Sequence, residues 1–419
     1  MSIAERKAGV APTMAALMLA VFTVSIGYGV LLPVIPYVIE RLLGADAELA
    51  RVTRHTGMLT AVYTLSLFLF APMWGRICDR RGARGVLLIG LIGFGATMLV
   101  FSFVETLATL YAERFLSGMF AAAVTPVAAA VIANITKIEE GRARRLAFLS
   151  VAGGAGFLLG PMLGVFVARL ATFSTLTLPP GSVALPLSAT GMLAFIAGSA
   201  VAIALPAGED GDSSRCPAGA RADSRAWLVP KLLVLTFIVS AGIGVFEVGL
   251  ALRGKQELGL TPYQVALMFT ECSLVMFVVQ GIVFSPWLNP AATRWLIAPA
   301  LLVLATALFL VPWAPDFILM LVVVGAVAGS AGILSPILTY WISAKAGSTQ
   351  GWELGKQTAV ASLGVAAGSA AGGLLFNVAS IPGASFVLTA IFTLGGFLLS
   401  LQIPRLLVPG SPAKTRAIS

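Results

Sequence analysis

Long apolar runs of similar length alternate along this chain with short polar gaps. A helix needs about 20 mostly apolar residues to cross the hydrocarbon of a bilayer. Twelve runs suit that length, centred near Val24, Leu67, Gly95, Ala121, Leu158, Phe195, Ser240, Met276, Val303, Ala328, Ala366 and Phe392. The pattern predicts an all-α membrane protein of twelve transmembrane helices. The residues before the first run, MSIAERKAGVAPTM, lack a small-residue cleavage site after a short apolar core. That run therefore reads as a retained helix and not as a signal peptide.

One polar break is long. Residues 206–227, PAGEDGDSSRCPAGARADSRAW, are rich in Gly, Ala, Ser and charge, the composition of a flexible linker. It divides the chain into 1–205 and 228–419, six predicted helices each, the second part ending in a short tail. The halves look related. An offset of 210 carries GRICDRRGAR (75–84) onto SPWLNPAATR (285–294), matching Arg84 with Arg294 and Asp79 with Asn289, and Thr125-Pro126 onto Ser335-Pro336. An offset of 208 carries Gly156, Gly160 and Gly164 onto Gly364, Gly368 and Gly372. Duplicated halves suit an alternating-access carrier with its substrate site between them near the midplane.

Composition excludes a water-soluble body. Of 419 residues, 58% are hydrophobic and 11% charged, against about 25% charged in soluble domains, and mean hydropathy is +0.97. The net charge of +9 comes without a basic run interleaved with aromatics, so nucleic acid is not the expected partner. Lys and Arg fall in the gaps. With both ends cytoplasmic, 20 lie in inside loops and six (Arg41, Arg51, Arg54, Arg169, Arg253 and Lys255) in outside segments, while Arg114 lies within a span. That asymmetry sets the expected orientation. Cys78, Cys216 and Cys272 have no metal-ligand spacing and argue against a disulfide framework, and His55 is the sole histidine.

The gap GRICDRRGARGVLL (75–88) joins the second and third helices. Gly75 and Gly82 would permit a tight turn. Asp79, the lone acid among Arg76, Arg80, Arg81 and Arg84, can accept hydrogen bonds from arginine or from a helix N-terminus. Such contacts would gate the cytoplasmic side. This stretch resembles the signature loop of the major facilitator superfamily. LYAERFLSG (110–118), with Arg114 four residues before Gly118, is similar to the fourth-helix motif of that superfamily's drug:proton antiporter branch. GFLLGPMLG (156–164) resembles its fifth-helix Gly-Pro motif, associated with exporters. NITKIEEGRARRLAFLS resembles the loop between those two helices. Gly156, Gly160 and Gly164 also lie on one helix stripe that lets another backbone approach, and Pro161 permits a bend. GVLLPVIP (29–36) closes the first helix with Pro33 and Pro36, which suggests a kinked, gating outer end. Many members carry an aspartate just before this Pro-x2-Pro, whereas this chain has FTVSIGYG. The resemblance implies proton-driven efflux of drug-like compounds.

Four charged residues stand inside predicted spans. Arg114, Glu247 and Glu271 lie roughly 7–10 Å in from the outer ends of their helices at about 1.5 Å per residue, and each would cost about 2.5–3.5 kcal/mol or more against lipid, so they should face the interior. Glu113 adjoins Arg114 but diverges from it by about 100° on a helix, so the two are not expected to share a partner. Glu113 also departs from the small residue common there in the family. Three carboxylates against one guanidinium leave an excess of negative charge, so at least one glutamate is expected to hold a proton at neutral pH. Glu247 is the first candidate for proton coupling, because in the resembled arrangement the seventh helix lines the cavity. Glu271 is the second, with Arg114 as modulator.

Phe22, Tyr28, Tyr37, Phe246, Tyr340 and Trp341 are candidate cavity aromatics. No phosphate-cradling Gly-x4-Gly-Lys-Ser/Thr loop occurs. No buried Ser–His pair or metal cluster suggests an enzyme, and no cofactor is expected. The expectation is a monomeric exporter in the bacterial inner membrane, exchanging protons for an amphipathic or hydrophobic small molecule. The alternatives are a dedicated metabolite or siderophore exporter and a proton-coupled importer.

Overall fold

The computed structural model describes residues 3–44, 48–102, 106–135, 145, 148–163, 184–205, 228–283, 290–345, 350–377 and 383–406, and all its regular elements are helical. Gly164, Asn289, Cys216 and the 206–227 linker lie outside the described residues. The helices are α1 (Ile3–Leu31), α2 (Ile35–Leu43), α3 (Leu49–Arg81), α4 (Ala83–Phe101), α5 (Leu107–Ala121), α6 (Thr125–Ile135), α7 (Phe148–Leu163) and α8 (Ala184–Ala204). After the linker come α9 (Leu228–Gln256), α10 (Pro262–Val283), α11 (Ile297–Leu310), α12 (Phe317–Lys345), α13 (Gln350–Leu375), α14 (Ala384–Ser400) and α15 (Ile403–Leu406).

Each of the twelve predicted centres falls on an apolar helix. Ten apolar helices are long enough to cross a membrane, α5 and α6 together forming one of them, while Phe148–Leu163 and Ala384–Ser400 are shorter among the described residues. Sequence chemistry sets the breaks. Pro33 has no N–H to donate, and α1 stops at Leu31 before the chain restarts as the nine-residue α2 with Pro36 in its first turn. Gly82 joins α3 to α4 at φ 84°, a conformation that strains any residue with a Cβ. Gly75 does not belong to that turn. It is an interior residue of α3 with open space beside it, because the helix continues to Arg81.

The buried residues form two hydrophobic clusters. One runs from Ala16 to Leu205, and the other gathers residues 228 onward together with Leu32. Each half contains a glycine seam, and the nearest contacts of the two seams correspond. On α7, a Cβ at Gly156 would strike Phe22 O and Ser25 Cβ, and one at Gly160 would stand 2.9 Å from Ile26 O on α1. On α13, a Cβ at Gly364 would meet Phe237 O and Ser240 Cβ, and one at Gly368 would strike Ala241 O on α9. Phe22, Ser25 and Ile26 map onto Phe237, Ser240 and Ala241 at one offset, so the repeat seen in the sequence is also a repeat of packing.

The halves meet firmly at the end of the bundle away from the amino terminus, here the distal end. There α3 lies against α13 so closely that a Cβ on Gly57 would stand 2.6 Å from Gly373 Cα, and Asn377 Nδ2 reaches Thr53 Oγ1 at 3.5 Å. The short α2 is fastened to the second half. Tyr37 donates to Leu260 O at 2.7 Å, Lys255 donates to Pro36 O at 3.0 Å, and Lys255 pairs with Glu40.

A candidate site between the halves

Glu247 is on α9, buried with 7% of its surface exposed. Its carboxylate is met from the other half. The Tyr28 hydroxyl on α1 donates to Glu247 Oε2 at 2.6 Å, a distance typical of a hydroxyl bonded to a carboxylate. Tyr28 is itself flanked. Its ring stacks on Tyr63 of α3, with centroids 5.0 Å apart and planes at 25°, and on Phe157 of α7 at 5.9 Å and 24°. Beyond Tyr63 stands Arg114 of α5, its guanidinium 5.2 Å from the ring centroid.

Arg114 does not meet Glu247 or Glu271 as a hydrogen-bond partner. It is held by its own neighbour, Nε donating to Glu113 Oε2 at 2.7 Å and Nη2 to Glu113 Oε1 at 3.2 Å. Both residues are essentially inaccessible, at 2% and 0%. The two share no outside partner among the described residues; they bond to each other. The Cβ directions do differ, but both side chains are long enough to fold toward one another, and a forked guanidinium matches a carboxylate in two-point geometry. The pair is neutral as a unit. Glu247 and Glu271 are the buried carboxyls left without a cationic partner among the described residues.

Glu271 occupies a different seam. On α10 it faces α12, where a Cβ on Gly325 would stand 3.1 Å from its Oε1, and its Oε2 is buried without a hydrogen-bond partner. The three charged positions also lie at different distances from the ends of their helices. Arg114 is seven residues into α5, about 10 Å, whereas Glu247 and Glu271 are nine residues from the distal ends of α9 and α10, about 13 Å. The latter two helices extend further than the sequence bounds suggested before turning at Gly259, whose φ is 59°.

Other sequence candidates are placed differently. Phe246 is 2% exposed and packed within the second core on α9. Phe22 is half-buried on α1 and presents its backbone oxygen to Gly156. Tyr340 is exposed and edge-on to Trp341, whose ring N–H donates to Thr293 Oγ1 at 3.2 Å. In the 75–84 segment, Arg84 Nη2 donates to Ala202 O on α8 at 2.8 Å, a contact within the first half and not across to the second. Arg80 is exposed, and Asp79 stands in the last turn of α3 with its side chain outside the described residues. A Cβ on Gly372 would stand 3.3 Å from Val245 Cα on α9, and Pro161 Cδ lies 3.2 Å from the Cβ position of Gly29.

Tyr63 and Phe157 escaped the sequence reading. Tyr63 carried a signal: Thr53, Thr56, Thr60, Tyr63 and Thr64 recur at helical spacing in an apolar helix, and all are buried. A polar stripe inside a membrane helix faces the protein interior. Phe157 carried none beyond adjoining Gly156.

An apolar multi-helix body with an internally repeated packing seam, and with buried carboxylates at and beside the junction of its halves, has the make-up of a membrane carrier. The Major Facilitator Superfamily profile matches residues 17–352, and the chain belongs to that family. It is similar to Multidrug resistance protein 2 of Bacillus subtilis (strain 168), 26% identical over 365 residues that cover 85% of this chain and 87% of that protein. Quinolone resistance protein NorA of Staphylococcus aureus (strain COL) is 26% identical over 361 residues, with coverage of 85% and 88%. Among solved structures, the human organic anion transporter MFSD10 (TETRAN) superposes with a TM-score of 0.72 at 19% identity, covering 93% of this chain and 99% of that one. A bacterial homologue of the human lysosomal transporter Spinster, inward-facing and unoccupied, gives 0.70 at 14% identity, covering 99% and 100%. The protein is a multi-pass membrane transporter with multidrug-efflux relatives, and not an enzyme.

Proposed function

We propose that this transporter exports cationic or amphipathic drug-like molecules from the bacterial cytoplasm in exchange for protons, by alternating access between two six-helix bundles. One observation carries the reading: the buried carboxylate of Glu247 lies where the halves meet and is bonded across the junction to Tyr28. A group in that position can feel both a bound cation and the relative motion of the halves. Because Glu113 already satisfies Arg114, the Glu247 carboxyl at the junction has no cationic partner among the described residues, which favours a proton or a cationic cargo over an anion.

The remaining architecture is inferred with it. Twelve spans fall into bundles 1–205 and 228–419 joined by the 206–227 linker, with both termini cytoplasmic by the distribution of Lys and Arg. On that orientation the distal end, where the halves meet, is the outer one. The carrier works as a monomer in the inner membrane, and the multidrug-resistance relatives support export of drug-like cargo.

The test is export from cells stripped of their own efflux systems, with a panel of cationic dyes, antibiotics and iron chelators. Wild type is compared with Glu247→Gln and Glu271→Gln at matched membrane levels. Loss of export in Glu247→Gln supports the reading. Export by both variants equal to wild type removes the carboxylates from the mechanism, and export of chelators alone points to a dedicated siderophore carrier.

A further inference from the structure

We propose that Tyr28 is the positioning residue of the Glu247 carboxylate, and that the Glu113–Arg114 pair holds Tyr28 in place from behind through the ring of Tyr63. The inference rests on the reading that Glu247 takes a cation.

The chain of contacts is continuous and crosses between the halves once. Glu113 grips Arg114 at two points, 2.7 and 3.2 Å. The guanidinium sits against the Tyr63 ring at 5.2 Å, within the range of a cation–π contact. Tyr63 stacks on Tyr28 at 5.0 Å, and Tyr28 donates to Glu247 at 2.6 Å. Every member is nearly or wholly enclosed except the half-buried Tyr28 ring, which is clasped by Phe157 on its flank.

Each link restricts the next. A carboxylate at the end of a glutamate has three rotatable bonds, and among the described residues Tyr28 is the hydrogen-bond donor that fixes it. A phenol has only two side-chain torsions, and stacking between rings from α3 and α7 leaves it little freedom in either. The ion pair explains why a buried arginine is present without touching the carboxylate it was expected to modulate. Its charge is met locally by Glu113, and the guanidinium backs the ring of Tyr63. The hydroxyl of Tyr28 is thus what aims Glu247 toward the first half, while the ring of Tyr63, and not its hydroxyl, is what matters behind it.

The experiment is equilibrium binding of tetraphenylphosphonium to the purified full-length transporter in lipid nanodiscs. It compares wild type, Tyr28→Phe, Glu247→Gln, the Tyr28→Phe/Glu247→Gln double variant, Tyr63→Phe and Tyr63→Leu, with a thermal melt for each. Losing one hydrogen bond to a charged group weakens an interaction by about tenfold or more, so Tyr28→Phe should raise Kd about tenfold while its melt shows a folded protein. In the Glu247→Gln background the same change should matter less than about twofold, because a positioning residue acts only through the group it positions. Tyr63→Phe should bind as wild type, and Tyr63→Leu should fall between wild type and Tyr28→Phe. Independent, additive losses from Tyr28→Phe and Glu247→Gln overturn the proposal, as does a Tyr28→Phe variant that binds as wild type while Glu247→Gln binds weakly. If Glu247→Gln binds as tightly as wild type, or wild type binds no tetraphenylphosphonium, the parent reading of Glu247 fails and this proposal falls with it.

Discussion

Placing one methyl group on Gly373 should open the distal end. In the structure a Cβ there would lie 2.6 Å from both Gly57 Cα and Thr53 O, where ordinary contact begins at 3.4 Å. All the opposing atoms are backbone of α3, so no side chain can swing aside, and the two helices must part by about 0.8 Å. Overpacking of this kind costs about 1–3 kcal/mol. Because the contact joins the two halves, that cost falls on the closed arrangement and not on either core. The closed-to-open ratio should therefore drop about 5- to 150-fold. The assay is oxidative cross-linking of Thr53→Cys with Asn377→Cys, residues whose side chains approach to 3.5 Å, in a background with Cys78, Cys216 and Cys272 changed to alanine. Gly373→Ala and Gly57→Ala should slow cross-linking. Gly75→Ala, with open space around it, should not. Gly368→Ala, whose Cβ would strike Ala241 O within the second half, should lower the melting temperature instead. Cross-linking of Gly373→Ala at the parental rate would refute the claim that this seam closes the distal end.

Removing one member of the buried Glu113–Arg114 pair should destabilise the protein by about 3–5 kcal/mol, since it strands a charge away from water. Arg114→Met should therefore melt well below wild type, and Glu113→Leu/Arg114→Met should recover much of the loss. Gly82→Ala should cost about 1–3 kcal/mol from the φ of 84° alone, read as a lower melting temperature. Gly325→Val should displace the Glu271 carboxylate from the α10–α12 seam, changing the reactivity of Glu271 toward a carbodiimide while leaving that of Glu247 unaltered.

The helices were legible because apolar length alone specifies a span, and the paired seams were legible because glycine spacing survives as a pattern. Glu247 and Glu271 stood out for the same reason, being acids where lipid would otherwise lie. What the sequence concealed was direction. Helical periodicity separates Glu113 from Arg114 by angle, yet it says nothing of side chains long enough to turn back on each other. An aromatic in an apolar helix carries no mark of which neighbour it meets, and Phe246 stands on α9 among core side chains. Gly75 and Gly82 looked alike in the loop motif, but only Gly82 has a backbone angle that demands glycine. Tyr63 could have been found from the stripe of threonines around it, whereas the bond from Tyr28 to Glu247 joins positions 219 residues apart and leaves no local trace.

The most direct test of proton-coupled export is made with the purified transporter in liposomes that are acidic inside. Adding ethidium outside should drive its uptake and, in step with it, alkalinise the lumen, and Glu247→Gln should abolish both movements. Ethidium uptake that proceeds unchanged without a pH gradient, or with Glu247→Gln in place of wild type, would contradict the account.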